Sequence, residues 1–316
     1  MKKSSLLPGG FFFCPNGIMG TNTLELRLVS MWEKKVHVQP PYDFDRVLDR
    51  LSINPLITLN KEERSVKVPF YSENKPVIVT VKATGTIDEP TFLVTGTNST
   101  ERSLQHVSHI FQWNVPLDPI QEHFLQTDLR DIFIEHRGTP LVLDFDPYYC
   151  LMKCIIHQQL NMTFAYTLTS RFVTTFGEEV DGTWVHPQPE KIAQLSVSDL
   201  RELQFSGRKA EYIIDTSRLI AEGELSLQDL QSKTDEEVTD TLVKLRGIGK
   251  WTAQNFLLFA LGRPNLFPMA DIGIQNAVKK LYNLENKPTY EQMEEYSKPW
   301  EPYLSYASLY LWRSIE

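Results

Sequence analysis

The spacing of hydrophobic positions changes once along the chain, and the first part combines one helix with several strands. Behind Asp43, apolar residues recur every three or four positions from Phe44 to Leu51, which predicts an amphipathic helix capped by Asp43. One run with strand spacing precedes this helix and three follow it, separated by polar turns: residues 35–38, 65–70, 76–81 and 91–95. Residues 31–115 are therefore predicted to form a small α+β domain with an antiparallel sheet.

From about Pro119 onwards, nearly every segment has the spacing of a helix. The strongest candidates are residues 147–176, 191–203, 208–221, 235–245, 250–261, 271–281 and 290–313. Residues 116–316 are therefore predicted to form an all-α domain. The expected fold class is α+β, with a small antiparallel-sheet domain followed by a helical domain.

The first thirty residues differ from both predicted domains. Met1-Lys2-Lys3 and the apolar residues that follow imitate a secretion signal, but Pro8-Gly9-Gly10 interrupts the apolar run well short of the ~7 to 15 residues that such a signal needs. No cleavage site of small residues follows it. We therefore expect residues 1–30 to be an extension upstream of Met31.

Composition and charge narrow the class of protein. The 41% hydrophobic and 23% charged residues are ordinary for a globular chain, and 316 residues leave room for about two domains. Lys and Arg number 32 against 40 for Asp and Glu, so the net charge of −8 does not by itself indicate a nucleic-acid partner. Any site for a polyanion must be local. Three cysteines cannot form a disulfide framework or a four-cysteine cluster, and an odd number of free thiols fits a reducing compartment better than secretion.

The most informative stretch is residues 245–253, Leu-Arg-Gly-Ile-Gly-Lys-Trp-Thr-Ala, where two glycines interrupt two helical patterns. It predicts a helix–hairpin–helix. Gly247 and Gly249 permit positive φ angles and leave backbone N–H groups open at the start of the second helix, where the helix dipole attracts an anion. Lys250 adds charge and the Thr252 hydroxyl adds a donor, so a DNA phosphate suits this site. The alternative is a plain turn between two helices.

A Gly/Pro loop, residues 262–268, follows the second helix of the hairpin and leads to Asp271 before another helix. This order of elements resembles the helix–hairpin–helix, Gly/Pro…Asp superfamily of base-excision DNA glycosylases. The block at residues 155–160 and the block at residues 300–313 narrow the resemblance to AlkA-type alkylbase glycosylases. Residues 40–44 are similar to the start of that group's sheet domain, so the likeness covers about residues 31–316.

The chain departs from the family pattern at four positions. The differing residues are His157 for a usual Gly, Asn161 for Ser, Arg246 for Pro and Leu304 for Arg. The first two lie at the turn that inserts into DNA in the family. Leu304 removes a possible phosphate contact.

The resemblance implies that Asp271 is the catalytic residue. Hydrolysis of the bond between base and sugar produces an oxocarbenium-like sugar, and a nearby carboxylate stabilises its developing positive charge. At the N-cap of its helix, Asp271 would accept backbone N–H bonds that fix its direction. The alternative is that Asp271 is only a helix cap.

An aromatic residue occupies the position where bifunctional relatives carry the lysine that forms a Schiff base with the sugar. Because this residue is Trp251, the chain is predicted to be monofunctional; Lys250 points about 100 degrees away on the helix. Trp251, Trp312 and Tyr303 are the candidates for an aromatic base pocket, which favours an electron-deficient alkylated base. The alternative is that these rings only fill the core.

Two glutamines complete the candidate DNA contacts. Gln158 and Gln159 lie in the turn after residues 155–157, and Gln159 is expected to fill the gap left by a flipped nucleotide. Cys150, Cys154 and His157 share one helical face but have no fourth ligand nearby, so no metal site is predicted. We expect no cofactor; a monovalent cation held by backbone carbonyls of the hairpin is the one alternative left open.

These features predict a monofunctional DNA glycosylase that hydrolyses the N-glycosidic bond of alkylated purines of the 3-methyladenine type in base-excision repair. Its expected partner is double-stranded DNA with alkylated bases, and no membrane is expected to take part. The protein is expected to be a monomer in the bacterial cytoplasm, associated with the nucleoid through DNA. Two alternatives remain: an oxidised-purine glycosylase with lyase activity, and a non-catalytic helix–hairpin–helix protein that binds DNA. Asp271 distinguishes an enzyme from the non-catalytic alternative, because a protein that only binds DNA needs no carboxylate at this position.

Overall fold

A computed structural model of the chain describes residues 31–97 and 99–315. The expectation that residues 1–30 form an extension lies outside these described residues. Residues 31–316 pack together as one compact unit.

The N-terminal part is built on a five-stranded antiparallel sheet. Its strands are β1 (Trp32–His37), β2 (Leu59–Asn60), β3 (Ser65–Ser72), β4 (Lys75–Ala83) and β5 (Thr91–Gly96). The spatial order is β1-β5-β4-β3-β2, and Val68 of β3 lies opposite Val79 of β4. Alternate residues of β4 are buried, as the period of two predicts for a sheet with one covered face.

The predicted helix behind Asp43 is confirmed as α1 (Phe44–Leu51). The Asp43 carboxylate accepts hydrogen bonds from the backbone N–H groups of Asp45 at 3.0 Å and Arg46 at 3.2 Å, so it caps the helix. Phe44 packs edge-on against Phe92 of β5 at 5.1 Å between ring centroids, which fixes the helix on the covered face of the sheet.

The rest of the described chain is mainly helical, as the sequence predicts. The helices are α2 (Thr100–Ile110), α3 (Asp118–Phe124), α4 (Arg130–Glu135), α5 (Pro147–His157), α6 (Met162–Phe176), α7 (Pro189–Ala193), α8 (Val197–Glu202), α9 (Gly207–Ala221), α10 (Asp235–Val243), α11 (Lys250–Phe259), α12 (Ile272–Leu281), α13 (Tyr290–Ser297) and α14 (Leu304–Arg313), with 3₁₀ turns at Asp229–Ser232 and Lys298–Trp300. Two long candidates, residues 147–176 and 290–313, are each divided by a turn.

The helical part contains one feature that the helical spacing concealed, a short hairpin of β6 (Glu178–Val180) and β7 (Thr183–Val185). Asp181-Gly182 forms its turn, and both residues have positive φ angles. Such an Asp-Gly pair between alternating residues is a hairpin signal in its own right. The Lys67 ammonium donates to the Asp181 carbonyl at 2.7 Å, which ties this hairpin to the five-stranded sheet.

The sheet and the helices share one hydrophobic core, which extends from Val38 to Leu311. The division into domains at residues 115 and 116 stays a prediction; the last strand of the sheet ends at Gly96 and the following helix begins at Thr100. Of the helices that the structure describes, none combines the length and the apolar character that crossing a bilayer requires.

Candidate active site and DNA-facing hairpin

Asp271 is the N-cap of α12, and its Oδ1 atom accepts a hydrogen bond from the backbone N–H of Ile274 at 3.1 Å. The cap geometry holds the carboxylate at the open end of the helix, where the dipole favours negative charge. The residue is half-buried, so one side of the carboxylate stays accessible.

Two tryptophans donate to the same carboxylate. Trp312 Nε1 lies 3.0 Å from Asp271 Oδ1, and Trp251 Nε1 lies 3.3 Å from Asp271 Oδ2. Both rings are half-buried, so part of each ring stays accessible beside the carboxylate. The structure thus brings together three of the residues that the sequence singles out, from α11, α12 and α14.

Gly273 allows this close approach, and the sequence analysis missed it. A Cβ atom at this position would lie 2.9 Å from Trp312 Cδ1 and 3.0 Å from Asp271 Oδ1, which is closer than real side chains approach. Any larger residue would therefore separate the indole from the carboxylate. The available signal was a glycine two positions after the candidate catalytic aspartate, inside an otherwise helical pattern.

The Gly/Pro loop holds Asp271 through contacts with α14. Ser305 Oγ accepts from the Leu266 N–H at 3.0 Å, and the Ser305 N–H donates to the Pro264 carbonyl at 3.0 Å. Asp271 N–H itself donates to the Pro268 carbonyl at 2.8 Å. These bonds satisfy backbone groups of an irregular segment and fix its path toward the catalytic candidate.

Tyr303, the third candidate for the aromatic pocket, lies elsewhere. It is the N-cap of α14, nine residues before Trp312, which at 1.5 Å per residue is about 13 Å along the helix axis. Its ring contacts the His123 ring at 5.4 Å between centroids. The structure therefore does not bring Tyr303 to Asp271.

The hairpin between α10 and α11 uses its two glycines differently, which corrects the expectation of positive φ at both. Gly247 has φ +87°, and a Cβ there would come within 2.1 Å of the Tyr212 ring. Gly249, the N-cap of α11, has an ordinary φ of −102° and nothing within 4 Å of its Cβ position. Gly247 is thus needed for the turn, whereas Gly249 leaves the end of α11 open, with Lys250 exposed beside it.

Two of the expected DNA contacts point inward instead. Thr252 is only 1% exposed, and its hydroxyl accepts from Gln158 Nε2 at 2.9 Å. The same Gln158 nitrogen donates to the Gly247 carbonyl at 2.9 Å. The Thr252 hydroxyl and the Gln158 amide therefore do not face a phosphate; they join the turn after α5 to the hairpin.

Gln159 lies exposed at the tip of the turn between α5 and α6, with φ +56°. A non-glycine residue in this region stores backbone strain, which is common at functional turns. Lys209, which the sequence analysis missed, supports the turn: its ammonium donates to the carbonyls of Ile156 and, at 2.8 Å, Gln158. Burial lowers the pKa of Lys209 to about 8.

The cysteine and histidine face of α5 is part of the packing. Cys150 and Cys154 are buried free thiols, and His157 Nε2 lies 3.0 Å from the Thr169 hydroxyl. Burial lowers the pKa of His157 to about 3, with Lys153 acting in the same direction. The departure at Asn161 provides a cap, because its side chain accepts from the Phe164 N–H at 2.9 Å.

Within residues 31–97 and 99–315, no group of three or more His, Cys, Asp or Glu side chains is arranged to hold a metal ion. Backbone carbonyls of the hairpin are already engaged: Leu245 accepts from the Ile248 N–H at 3.1 Å and Gly247 accepts from Gln158. A monovalent cation at these oxygens stays a prediction, and no step proposed below uses it.

The helical part matches a family described as HhH-GPD superfamily base excision DNA repair protein over residues 152–302. A Bacillus subtilis (strain 168) protein named "Putative DNA-3-methyladenine glycosylase YfjP" is 58% identical over 287 residues, which are 90% of this chain and 100% of that protein. The chain belongs to the HhH-GPD superfamily of base excision DNA repair proteins.

A second relative and a solved structure are also similar to this chain. A Bacillus subtilis (strain 168) protein named DNA-3-methyladenine glycosylase is 40% identical over 174 residues, which are 54% of this chain and 57% of that protein. The solved 3-methyladenine DNA glycosylase of Archaeoglobus fulgidus superposes with a TM-score of 0.78 at 23% identity, covering 88% of this chain and 97% of that one. This structure supports the fold, including the sheet that precedes the HhH-GPD helices.

Proposed function

We propose that this chain is a monofunctional DNA glycosylase that hydrolyses the N-glycosidic bond of alkylated purines of the 3-methyladenine type during base-excision repair. The observation that carries the proposal is the Asp271 carboxylate at the N-terminus of α12, held by the indole N–H groups of Trp251 and Trp312. A DNA-binding protein without chemistry needs no carboxylate oriented in this way.

The proposed reaction is hydrolysis, with the base as the leaving group. The bond between the sugar C1′ atom and the base nitrogen breaks, and the base leaves with the electron pair. The positive charge that develops on the sugar faces Asp271, whose charge and fixed direction stabilise it without reorganisation. A water oxygen then bonds to C1′ and loses its proton, which leaves an abasic strand.

The aromatic side of the site supports a base whose ring is electron-deficient. Trp251 and Trp312 use their polar N–H edges on Asp271 and both rings are half-buried, so the stacking that we propose uses the ring faces. No amine stands at position 251 to form a Schiff base with the sugar, which supports the monofunctional assignment over the lyase.

The proposed partner is double-stranded DNA that contains alkylated bases, bound by a monomer in the bacterial cytoplasm. Open amides at the start of α11 and the exposed Lys250 suit a phosphate, and the strained, exposed Gln159 suits the gap left by the flipped nucleotide. Such local contacts reconcile DNA binding with the net charge of −8.

The test is incubation of the full chain with methylated duplex DNA, followed by chromatographic identification of each released base and a borohydride trapping assay. We expect release of methylated purines, an unbroken abasic strand and no covalent adduct. Release of oxidised purines with strand cleavage and a trapped adduct would identify the lyase alternative. Binding without release of any base would identify the non-catalytic alternative.

A further inference from the structure

A buried ion pair, Asp144–Lys153, lies near Phe259, whose ring packs against Trp312 of the candidate active site. Lys153 Nζ on α5 contacts both oxygens of Asp144, at 2.5 and 2.6 Å, and each side chain is only 15% exposed. Asp144 is attached to α11, because its N–H donates to the carbonyl of Phe259 at 2.8 Å.

The Phe259 ring connects this pair to Asp271. Lys153 Nζ lies 6.0 Å from the Phe259 ring centroid, and the Trp312 ring lies 5.8 Å from the same ring. Trp312 in turn donates to the Asp271 carboxylate at 3.0 Å. Phe259 therefore contacts both the Lys153 ammonium and the indole that donates to Asp271.

The Lys153 ammonium has one hydrogen to spare. It carries three N–H donors, and within the described residues its hydrogen bonds go only to the two oxygens of Asp144. Burial alone would raise the pKa of Asp144, but the ammonium beside it lowers that pKa, so the pair stays ionised. A buried ion pair is seldom the most stabilising choice for a core, which leaves its presence here to be explained.

The approach from the other side is closed to a base. Asp144 also borders a cavity lined by Tyr149 and His186, but its volume of about 20 Å³ holds roughly one water molecule. Because that cavity is too small for a base, the inference places the base on the side of the pair that faces Phe259. The Arg50 guanidinium carbon lies 4.3 Å from the Phe259 ring centroid and acts electrostatically on Asp144, so the charges of Arg50, Lys153 and Asp144 lie near one another beside this ring.

We propose that the Asp144–Lys153 pair forms the far wall of the base pocket and that Lys153 donates a hydrogen bond to the oxygen on C6 of a flipped 6-oxopurine. This inference rests on the proposed glycosylase function and deepens it. It makes Lys153 a specificity-determining residue, which favours neutral bases with an acceptor at position 6 over bases without one.

The test compares two neutral substrates in otherwise identical duplexes, hypoxanthine, which carries the C6 oxygen, and unsubstituted purine, which lacks it. The measured quantity is the ratio of kcat/KM for hypoxanthine to that for purine. Because a charge-assisted hydrogen bond is lost, we expect the ratio to fall about 10- to 100-fold in the double variant Asp144→Asn/Lys153→Met. This variant leaves no unpaired buried charge, so it protects the fold better than Lys153→Met alone.

Two controls separate recognition from structure. Because Lys153→Arg keeps a charged donor, the ratio should stay within about threefold of the wild-type value. This is well below the change of about 10- to 100-fold expected for a lost hydrogen bond. Lys61→Met removes a positive charge from an exposed ion pair with Asp49 and should leave the ratio unchanged. A purely structural role for the pair would lower both kcat/KM values together and leave their ratio constant.

The outcomes distinguish this inference from the function on which it rests. If the wild-type chain releases no methylated purine, the proposed function fails. If it releases methylated purines but the ratio is the same in the double variant, the glycosylase stands and the role of Lys153 is refuted. Release of methylated purines without any release of hypoxanthine would also refute it.

Discussion

Replacing Asp271 with Asn should separate folding from catalysis. Asn keeps one oxygen, which in the favoured orientation still accepts from the N–H groups of Ile274 and Trp312. The other oxygen becomes an NH₂ group that faces the Trp251 N–H at 3.3 Å, donor against donor. At this half-buried position the mismatch costs about 1 kcal/mol, which lowers the melting temperature by about 2 to 4 °C.

The effect on rate should be much larger than the effect on stability. Loss of one preorganised electrostatic contact with the transition state costs on the order of 10²-fold or more in rate, equivalent to about 2.7 kcal/mol. Hypoxanthine release should therefore nearly vanish, while cationic methylated purines should suffer less because their leaving group is already activated.

The assay is single-turnover base release, with binding to an abasic-site analogue and thermal melting measured on the same preparations. Asp43→Asn is the matched control, because Asp43 also caps a helix through two backbone N–H bonds but lies on α1. Both bonds go to one oxygen, which Asn keeps, so Asp43→Asn should lose no more stability than Asp271→Asn and none of the rate. If Asp271→Asn released hypoxanthine at close to the wild-type rate, Asp271 would be only a helix cap.

Three further outcomes follow from the geometry. Gly249→Val should keep the melting temperature within a few degrees but weaken duplex binding by about tenfold or more, because its side chain enters open space where a phosphate approaches. Gly247→Val should instead unfold the hairpin. Normal duplex binding by a folded Gly249→Val would remove the hairpin from the interface. Gln159→Ala should weaken binding to an abasic-site analogue more than to undamaged duplex, and equal losses would place this side chain on the DNA backbone. The free energy of unfolding should fall as the pH drops from about 6.5, since the buried His157 has a pKa of about 3 and the unfolded chain binds more protons in this range. Denaturant melts from pH 7.5 to 4.5 measure this free energy. A flat profile in the wild type, or the same slope in His157→Asn, would contradict the prediction.

Much of the fold was predictable because the hydrophobic period and the caps are local properties. The cap at Asp43, the antiparallel strands and most helices follow from the spacing of neighbouring residues. The hairpin at residues 178–185 was missed, since its strands are only three residues each and it lies between two predicted helices, residues 147–176 and 191–203.

The sequence predicts the site residues whose chemistry depends on the residue type, but it does not predict the direction in which a side chain points. Asp271, Trp251 and Trp312 stand together because each lies at a defined place in its motif. The direction of the Thr252 hydroxyl depends on a partner 94 positions away, Gln158, and no local pattern reveals such a contact. The position of Lys153 beside Phe259 is likewise a property of tertiary packing.

The link from Gln158 to the hairpin has a consequence for how lesions are told apart. One amide donates to both Gly247 and Thr252, and Lys209 donates to the carbonyl of Gln158, so hydrogen bonds join the hairpin to the turn that carries Gln159. In the proposed mode of binding, this connection keeps the distance along the duplex between the bound phosphate and the emptied base position the same for every lesion. Docking cannot adjust its register to the damage, so discrimination among bases is left to the pocket that receives them.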